Sequence, residues 1–171
     1  MPLKRLKERC TIKRTLRPFI KALASLSIPV NSSLESIGNN AFTKAALSAV
    51  SIPAGVTELG INAFLYNEKL SAVTFAPGSS LKTIGAQAFW SAAITRITIP
   101  EGVTGIGDRA FRDTALITVT VLAEHPPTLG GDEVFLECGA LASILVPAAS
   151  VDAYRDAPGW DTYAEIISAI Q

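Results

Sequence analysis

Histidine and cysteine are scarce in this chain, which has one histidine and two cysteines among 171 residues. Metal and catalytic sites require several convergent groups. His125 stands alone in a proline-flanked loop, and Cys10 and Cys138 lie far apart without metal-ligand spacing. We therefore expect no metal site built on histidine or cysteine.

Motifs of common enzymes are also missing. The sequence contains no G-x-S-x-G, H-E-x-x-H or P-loop pattern. Asp132, Glu133 and Glu137 cluster near two glycines but follow no calcium-loop spacing, which indicates a solvated loop. The sequence therefore predicts no enzyme activity, no cofactor and no metal.

Charged residues are few and unevenly distributed. They make up 18% of the chain, and residues 1–21 hold eight Lys or Arg and one Glu. A basic segment can bind nucleic acid or an anionic membrane, but this one has a single aromatic residue, Phe19, and lacks a base-stacking surface. We expect no binding of nucleic acid.

Long apolar runs are absent as well. No uncharged run reaches the ~18 residues that a membrane-spanning helix requires. Lys21 interrupts the apolar stretch near the N-terminus, so we expect no signal peptide in the given chain.

What the sequence does contain is a repeated phrase. It reads IGNNAF, LGINAF, IGAQAF and IGDRAF, and the looser LGGDEVF adds a fifth copy. The closing phenylalanines are separated by 22, 25, 22 and 24 residues; they are Phe42, Phe64, Phe89, Phe111 and Phe135. A period of about 23 residues predicts a solenoid, in which each repeat hides its apolar residues against its neighbours.

A second phrase alternates with the first, as in LSAVSIP from residue 47 and ITRITIP from residue 94. Its V-x-I core predicts a short strand with one buried face. Proline, which has no N–H, ends that strand at Pro53 and Pro100.

Positions within the first phrase predict its packing. Ile and Phe should point inward, glycine allows a backbone bend, and the small alanine leaves room for the ring. Cys138 occupies the third place after its phenylalanine, where Ala45, Asn67, Ala92 and Thr114 stand in other copies, which predicts a small turn position.

The alternation of L-x-x-V-x-I-P with I-G-x-x-A-F resembles the BspA-like leucine-rich repeats of bacterial surface proteins, from about Leu23 to Gln171. The resemblance implies a β-rich solenoid: a right-handed leucine-rich repeat stack of about five to six coils, with strands on one face and a helical C-terminal cap. It also implies a place at the cell surface or outside the cell, and a role in adhesion and recognition. The basic N-terminus departs from the family pattern, in which an export signal would stand there.

Three regions follow from this reading: a basic segment at 1–22, the solenoid at 23–147 and a cap at 148–171. In the cap, Ser150 is expected to begin a short helix bearing Val151 and Tyr154. Thr162 and Glu165 predict a capping box for a second helix. Trp160, Ile166, Ile167 and Ile170 should cover the last coil.

The basic segment has apolar residues at roughly helical spacing, and Phe19 falls 23 residues before Phe42. It is interpreted as a degenerate repeat preceded by a basic amphipathic helix. A role as a cap is favoured over the alternative, an anchor at the membrane surface.

The outward positions of the strands form the candidate binding surface. They are small, polar and nearly uncharged, with one arginine; the candidate residues are Ser25, Ser27, Ser51, Thr74, Arg96, Thr98, Thr118, Thr120 and Ser143. Ser and Thr also suit any exposed strand surface. The functional interpretation is a non-enzymatic module, taken as a monomer, that binds a protein or glycan. The alternative is a spacer of a larger surface protein without a specific ligand.

Overall fold

The computed structural model describes residues 10–12, 26, 28–29 and 32–171. Each repeat forms one coil with two short parallel strands, and the coils stack on one another. The basic segment apart from residues 10–12, together with Ser25 and Ser27, lies outside the described residues.

The first row of strands comes from the V-x-I phrase, as predicted. Its members are β3 (Ala49–Ile52), β5 (Ala72–Phe75), β7 (Arg96–Ile99), β9 (Thr118–Val121) and β11 (Ser143–Val146). In β3 and β7 exposed and buried residues alternate, because successive side chains of a strand point to opposite faces. This row forms the strand face.

A second row of strands was not predicted. It contains β2 (Leu34–Ile37), β4 (Glu58–Leu59), β6 (Thr83–Ile84), β8 (Gly105–Ile106) and β10 (Thr128–Leu129), and β1 (Cys10–Ile12) pairs with its first member. Together they form a six-stranded parallel sheet. The predicted helical spacing is wrong at residues 10–12, since these residues form β1 and continue the row.

Glycine follows several of these strands because neighbouring coils touch there through their backbones. A Cβ on Gly85 would lie 2.5 Å from the carbonyl carbon of Gly60, and one on Gly107 would collide with the backbone of Ala86. Any side chain would force these coils apart.

After the glycine, most coils turn with two residues, four apart, in the left-handed region. In one coil these are Asn62 (φ 58°) and Tyr66 (φ 56°). Their N–H groups bond to carbonyls of the next coil, at 2.9 Å for Ala86 and Trp90, and so does the N–H of Phe64 midway between them, while the two remaining N–H groups bond within their own turn. The turn thus ties each coil to the next, and the left-handed positions hold no β-branched residue, for which this conformation is strained.

The five repeat phenylalanines form one internal column, as predicted. Successive ring centroids lie 5.3, 5.3, 5.4 and 5.6 Å apart and the rings are nearly parallel. Phe64, Phe89 and Phe111 are fully buried.

Beside the rings, the third place after the phenylalanine is polar in three of the five coils and alanine in the other two. The polar column consists of Asn67, Thr114 and Cys138. The Asn67 amide nitrogen donates to the carbonyls of Phe42 and Phe64 at 2.7 and 2.8 Å. The Cys138 thiol is buried and donates to the carbonyl of Phe111 at 3.1 Å. These side chains satisfy backbone carbonyls that the turn leaves inside the stack.

The C-terminal residues close the stack. A 3₁₀ helix (Ala148–Ser150) leads into α1 (Val151–Arg155), followed by a 3₁₀ helix (Asp161–Ile166) and β12 (Ile167–Ala169). Tyr154 and Trp160 are fully buried, and the indole N–H donates to the Pro127 carbonyl at 2.8 Å.

Two details of the predicted cap are wrong. Ser150 stands at the N-cap position of α1, as predicted, but its hydroxyl forms no cap hydrogen bond and donates to the Glu124 carbonyl at 2.7 Å instead. Thr162 and Glu165 form no capping box, because the segment is a 3₁₀ helix that ends in β12, where Ile167 pairs with Ile144 of β11. The free edge of β11 pairs with residues Ile167–Ala169, since an unpaired edge offers a row of backbone partners. Ile170, expected to cover the last coil, is 37% exposed.

Candidate functional site

The candidate residues that the structure describes lie on the strand face. Strand register places Ser51 beside Thr74, Arg96 beside Thr118, and Thr98 beside Thr120. The outward side chains of β3, β5 and β7 are exposed, and those of β9 and β11 are half-buried. The rows expected from the sequence are therefore present from Ser51 to Ser143.

The rows are interrupted between β5 and β7. Hydrogen-bonded ladders join β3 to β5 and join β7, β9, β11 and β12, but no ladder joins β5 to β7. The strand face therefore consists of a two-stranded and a four-stranded sheet.

Proline removes one hydrogen bond at this interruption. After β5 and β9 the next residue extends the ladder: Ala76 N–H donates to Ile52 at 2.9 Å, and Leu122 N–H donates to Ile99 at 3.0 Å. Pro100 holds the same place after β7 and has no N–H to donate to Phe75. Pro147 also holds this place after β11, which still pairs with β9, so the missing bond alone does not separate β5 from β7.

The connection after β5, beside the interruption, belongs to a coil that is longer than its neighbours. The coil between Phe64 and Phe89 has 25 residues, against 22 in both adjacent coils, and its loop turns at Gly78 with φ +69°.

A cleft of about 550 Å³ opens at the interruption. This volume falls in the range of about 300 to 1,000 Å³ that is typical of ligand pockets. Its apolar lining includes Phe75, Pro77, Pro100 and Leu122, and Leu122 is 41% exposed. The cleft therefore has an apolar lining and lies between two strands, β5 and β7, that no hydrogen-bonded ladder joins.

One cation and one anion border the cleft. Arg96 begins β7, and Glu101 follows its end by two residues. Neither side chain forms an ion pair or hydrogen bond with any residue that the structure describes. Within the part of the chain that the structure describes, both charges are thus left unpaired.

The other arginines in the described part of the chain are engaged internally. Arg109 bonds to Glu133, and Arg112 bonds to Glu133 and Glu137, both at 3.0 Å. Hydrogen bonding from Arg109 lowers the pKa of the Glu133 carboxyl. Arg155 donates to the backbone carbonyls of Ala164 and Ile167.

In the loop expected to be solvated, Asp132 and Glu137 are exposed and Glu133 is half-buried, but the two glutamates also have partners that the sequence did not predict. They pair with arginines 21 to 25 residues earlier in the chain. Stacking brings these residues together, and local spacing gives no sign of it.

Aromatic and cationic side chains also stack on the turns. Lys44 lies 5.4 Å from the Tyr66 ring centroid, Tyr66 lies 5.7 Å from Trp90, and Arg112 lies 5.1 Å from Trp90. These rings are covered by their neighbours along the stack, so the arrangement ties coils together.

Among the described residues, neither His125 nor Cys138 belongs to a cluster of metal-ligating side chains. His125 is exposed, and no group of three metal-ligating side chains occurs among the described residues. Burial raises the pKa of the Cys138 thiol, although a hydrogen bond with Thr114 opposes the shift. Fewer thiolates form as a result, and Cys138 acts as a core residue.

Of the residues that line the cleft, the sequence predicts Thr74, Arg96 and Thr98 as part of the binding surface but not Phe75, Glu101 and Leu122. Two signals were available: the 25-residue interval and the replacement of S-I-P by T-F-A-P after β5. In addition, no helix among the described residues has the length and apolar character needed to cross a bilayer.

Solved structures of leucine-rich repeat proteins resemble this chain. The crystal structure of the pneumococcal vaccine antigen PcpA matches with a TM-score of 0.52 and 21% identity, over 69% of this chain and 38% of that one. A leucine-rich repeat protein from Bacteroides ovatus matches at 0.40 and 21%, covering 80% and 46%. A leucine-rich cell surface protein from Faecalibacterium prausnitzii matches at 0.38 and 27%, covering 81% and 47%.

This chain spans less than half the length of each of those structures. The match to PcpA supports a common fold. No curated protein sequence matches the chain. The family described as the BspA type leucine-rich repeat region matches residues 19–142, with six copies. Since that match covers more than half of the chain, the protein belongs to the BspA-type leucine-rich repeat family.

Proposed function

We propose that this protein is a non-enzymatic recognition or adhesion module that binds a macromolecular partner, a protein or a glycan, through its strand face. The observation that carries the proposal is the cleft between β5 and β7, where the strand face holds an exposed arginine that has no partner among the described residues. Arginine is enriched among the residues that dominate binding energy at interfaces. Small Ser and Thr side chains around it leave the surface open to a large ligand.

Family membership supports a site of action at the cell surface, because BspA-like repeats are typical of surface proteins. We take the module to act as a monomer, with the basic N-terminal segment as a cap.

Binding can be tested with the immobilised chain against matrix proteins and a glycan array. Thr98→Glu places bulk and negative charge at the centre of the strand face and should weaken binding at least tenfold. Thr83→Glu is the matched control, because Thr83 is exposed on β6 in the second row. Binding that responds equally to both variants, or that neither variant affects, contradicts the proposal.

The competing function is that of a spacer without a specific ligand. The regular contacts between coils favour a spacer, since hydrogen bonds of the turns and the ring column couple each coil to its neighbours. Absence of any saturable ligand in both screens supports the spacer.

A further inference from the structure

The cleft between β5 and β7 has opposite charges at its two ends. Arg96 stands where β7 begins and Glu101 stands just beyond its end, with Phe75 and Leu122 between them in the lining. Because both charged side chains lack partners among the described residues, a ligand meets a cation, then an apolar surface, then an anion.

We propose that this cleft binds an extended peptide segment of a partner protein, with an acidic side chain at Arg96, an apolar side chain over Phe75 and Leu122, and a basic side chain near Glu101. This inference rests on the proposed function, since the cleft is part of the strand face.

The spacing of the ligand follows from strand geometry. Extended chains rise roughly 3.3 Å per residue, and every second side chain points to the same side. Arg96 and Glu101 are five residues apart in the chain. In a peptide of about this span, the same-side positions nearest to the two charges place the acidic residue at i, the apolar residue at i+2 and the basic residue at i+4 or i+6.

The lining favours a peptide over a glycan. An extended peptide carries acidic, apolar and basic side chains in order on one backbone, which complements the cation, the apolar surface and the anion of the cleft. Glycan recognition by stacking calls for an open aromatic face, and the aromatic residue in this lining is the half-buried Phe75.

The test uses a displayed library of random nine-residue peptides, selected separately on the full chain and on the double variant R96E/E101R. The full chain is expected to enrich peptides with acidic, apolar and basic residues at alternate positions in one chain direction. The double variant reverses the charges at both ends, so it is expected to enrich the inverted order.

A selected peptide is then labelled and titrated. R96E should weaken its binding by roughly tenfold, because a favourable ion pair becomes a repulsion. K69E changes the net charge equally, at an exposed lysine outside the cleft, and should leave affinity within twofold. Circular dichroism melts establish that each variant is folded.

The inference is overturned if wild type and R96E/E101R enrich the same peptides, if no alternating pattern emerges, or if R96E and K69E have equal effects. It is also overturned if a glycan from the array, but no peptide, binds in an Arg96-dependent way. If Thr98→Glu weakens partner binding but R96E/E101R does not, the peptide inference is contradicted, whereas the proposed function is supported.

Discussion

At the scale of single residues, the phenylalanine column dominates the core. Phe89 is fully buried between two parallel rings. Phe89→Ala removes the ring from both contacts and is expected to cost roughly 3 to 5 kcal/mol of unfolding free energy, by urea denaturation. Ile61→Ala, at a side chain that is 48% exposed, is the control and should change stability little. Similar losses in the two variants would be inconsistent with a column that carries stability.

The polar column makes a second residue-scale prediction. Asn67 donates to two carbonyls, while its side-chain oxygen is buried without a hydrogen-bond partner among the described residues. Asn67→Ala leaves a buried carbonyl unsatisfied and should cost about 1 to 3 kcal/mol.

Ala92 holds the equivalent place in the next coil, and side chains at this place can bond across coils, as Thr114 and Cys138 do at 3.1 Å. Ala92→Ser should therefore give the Asn67 oxygen a donor and raise unfolding free energy by about 1 kcal/mol. A serine variant that is less stable than wild type would contradict this expectation.

The Glu133 carboxyl predicts a pH dependence. Its pKa is lowered, first by the hydrogen bond from Arg109, so its contribution to stability is present above the unfolded pKa of about 4.3 and lost as pH falls through the folded value. The stability difference between wild type and Glu133→Gln should thus be constant near neutral pH and vanish in acid. Denaturant melts at stepped pH measure it. A difference that grows as pH falls would refute the assignment.

At the scale of elements, the sequence predicts the first strand of each coil but not the second. The V-x-I phrase shows apolar residues at every second position and is usually followed by a proline that ends the strand. By contrast, β4 and β6 are two residues long, which is too short to show such an alternation. Pairing with adjacent coils makes them strands, and such pairing depends on the stack as a whole.

Dependence on the whole stack also explains why the sequence did not predict the cleft or the details of the cap. Arg96 was recognised as a lone charge, but Phe75 and Leu122 belong to different coils and meet only after stacking. In the cap, Thr162 and Glu165 fit a helical spacing, but the free edge of β11 pairs with residues 167–169 instead. The local helical propensity of the segment is overridden because a strand partner is available.

The C-terminal cap makes an element-scale prediction. Tyr163 and Trp160 lie against Phe135, and β12 pairs with β11. Deleting residues 148–171 uncovers both the ring and the strand edge, so concentration-dependent association is expected. Light scattering measures it, with deletion of Gln171 alone as the control. A truncated chain that stays monomeric and folded would show that the last coil needs no cover.

At the scale of the whole molecule, stability should follow nearest-neighbour coupling along the stack. The second row, the turns and the ring column continue past every coil from Leu34 to Phe135, but the first row is interrupted between β5 and β7. The coupling between these two coils is therefore weaker than elsewhere, and the molecule has a preferred place to open partially.

Amide hydrogen exchange tests this coupling. Phe42→Ala weakens the N-terminal coils and should speed exchange in β3 and β5, while β9 and β11 keep their protection because the interrupted ladder does not transmit the loss. Phe135→Ala is the mirror control and should speed exchange in β9 and β11 but not in β3. If Phe42→Ala raises exchange equally in all four strands, the stack unfolds as one unit and the interruption in the strand face has no energetic consequence.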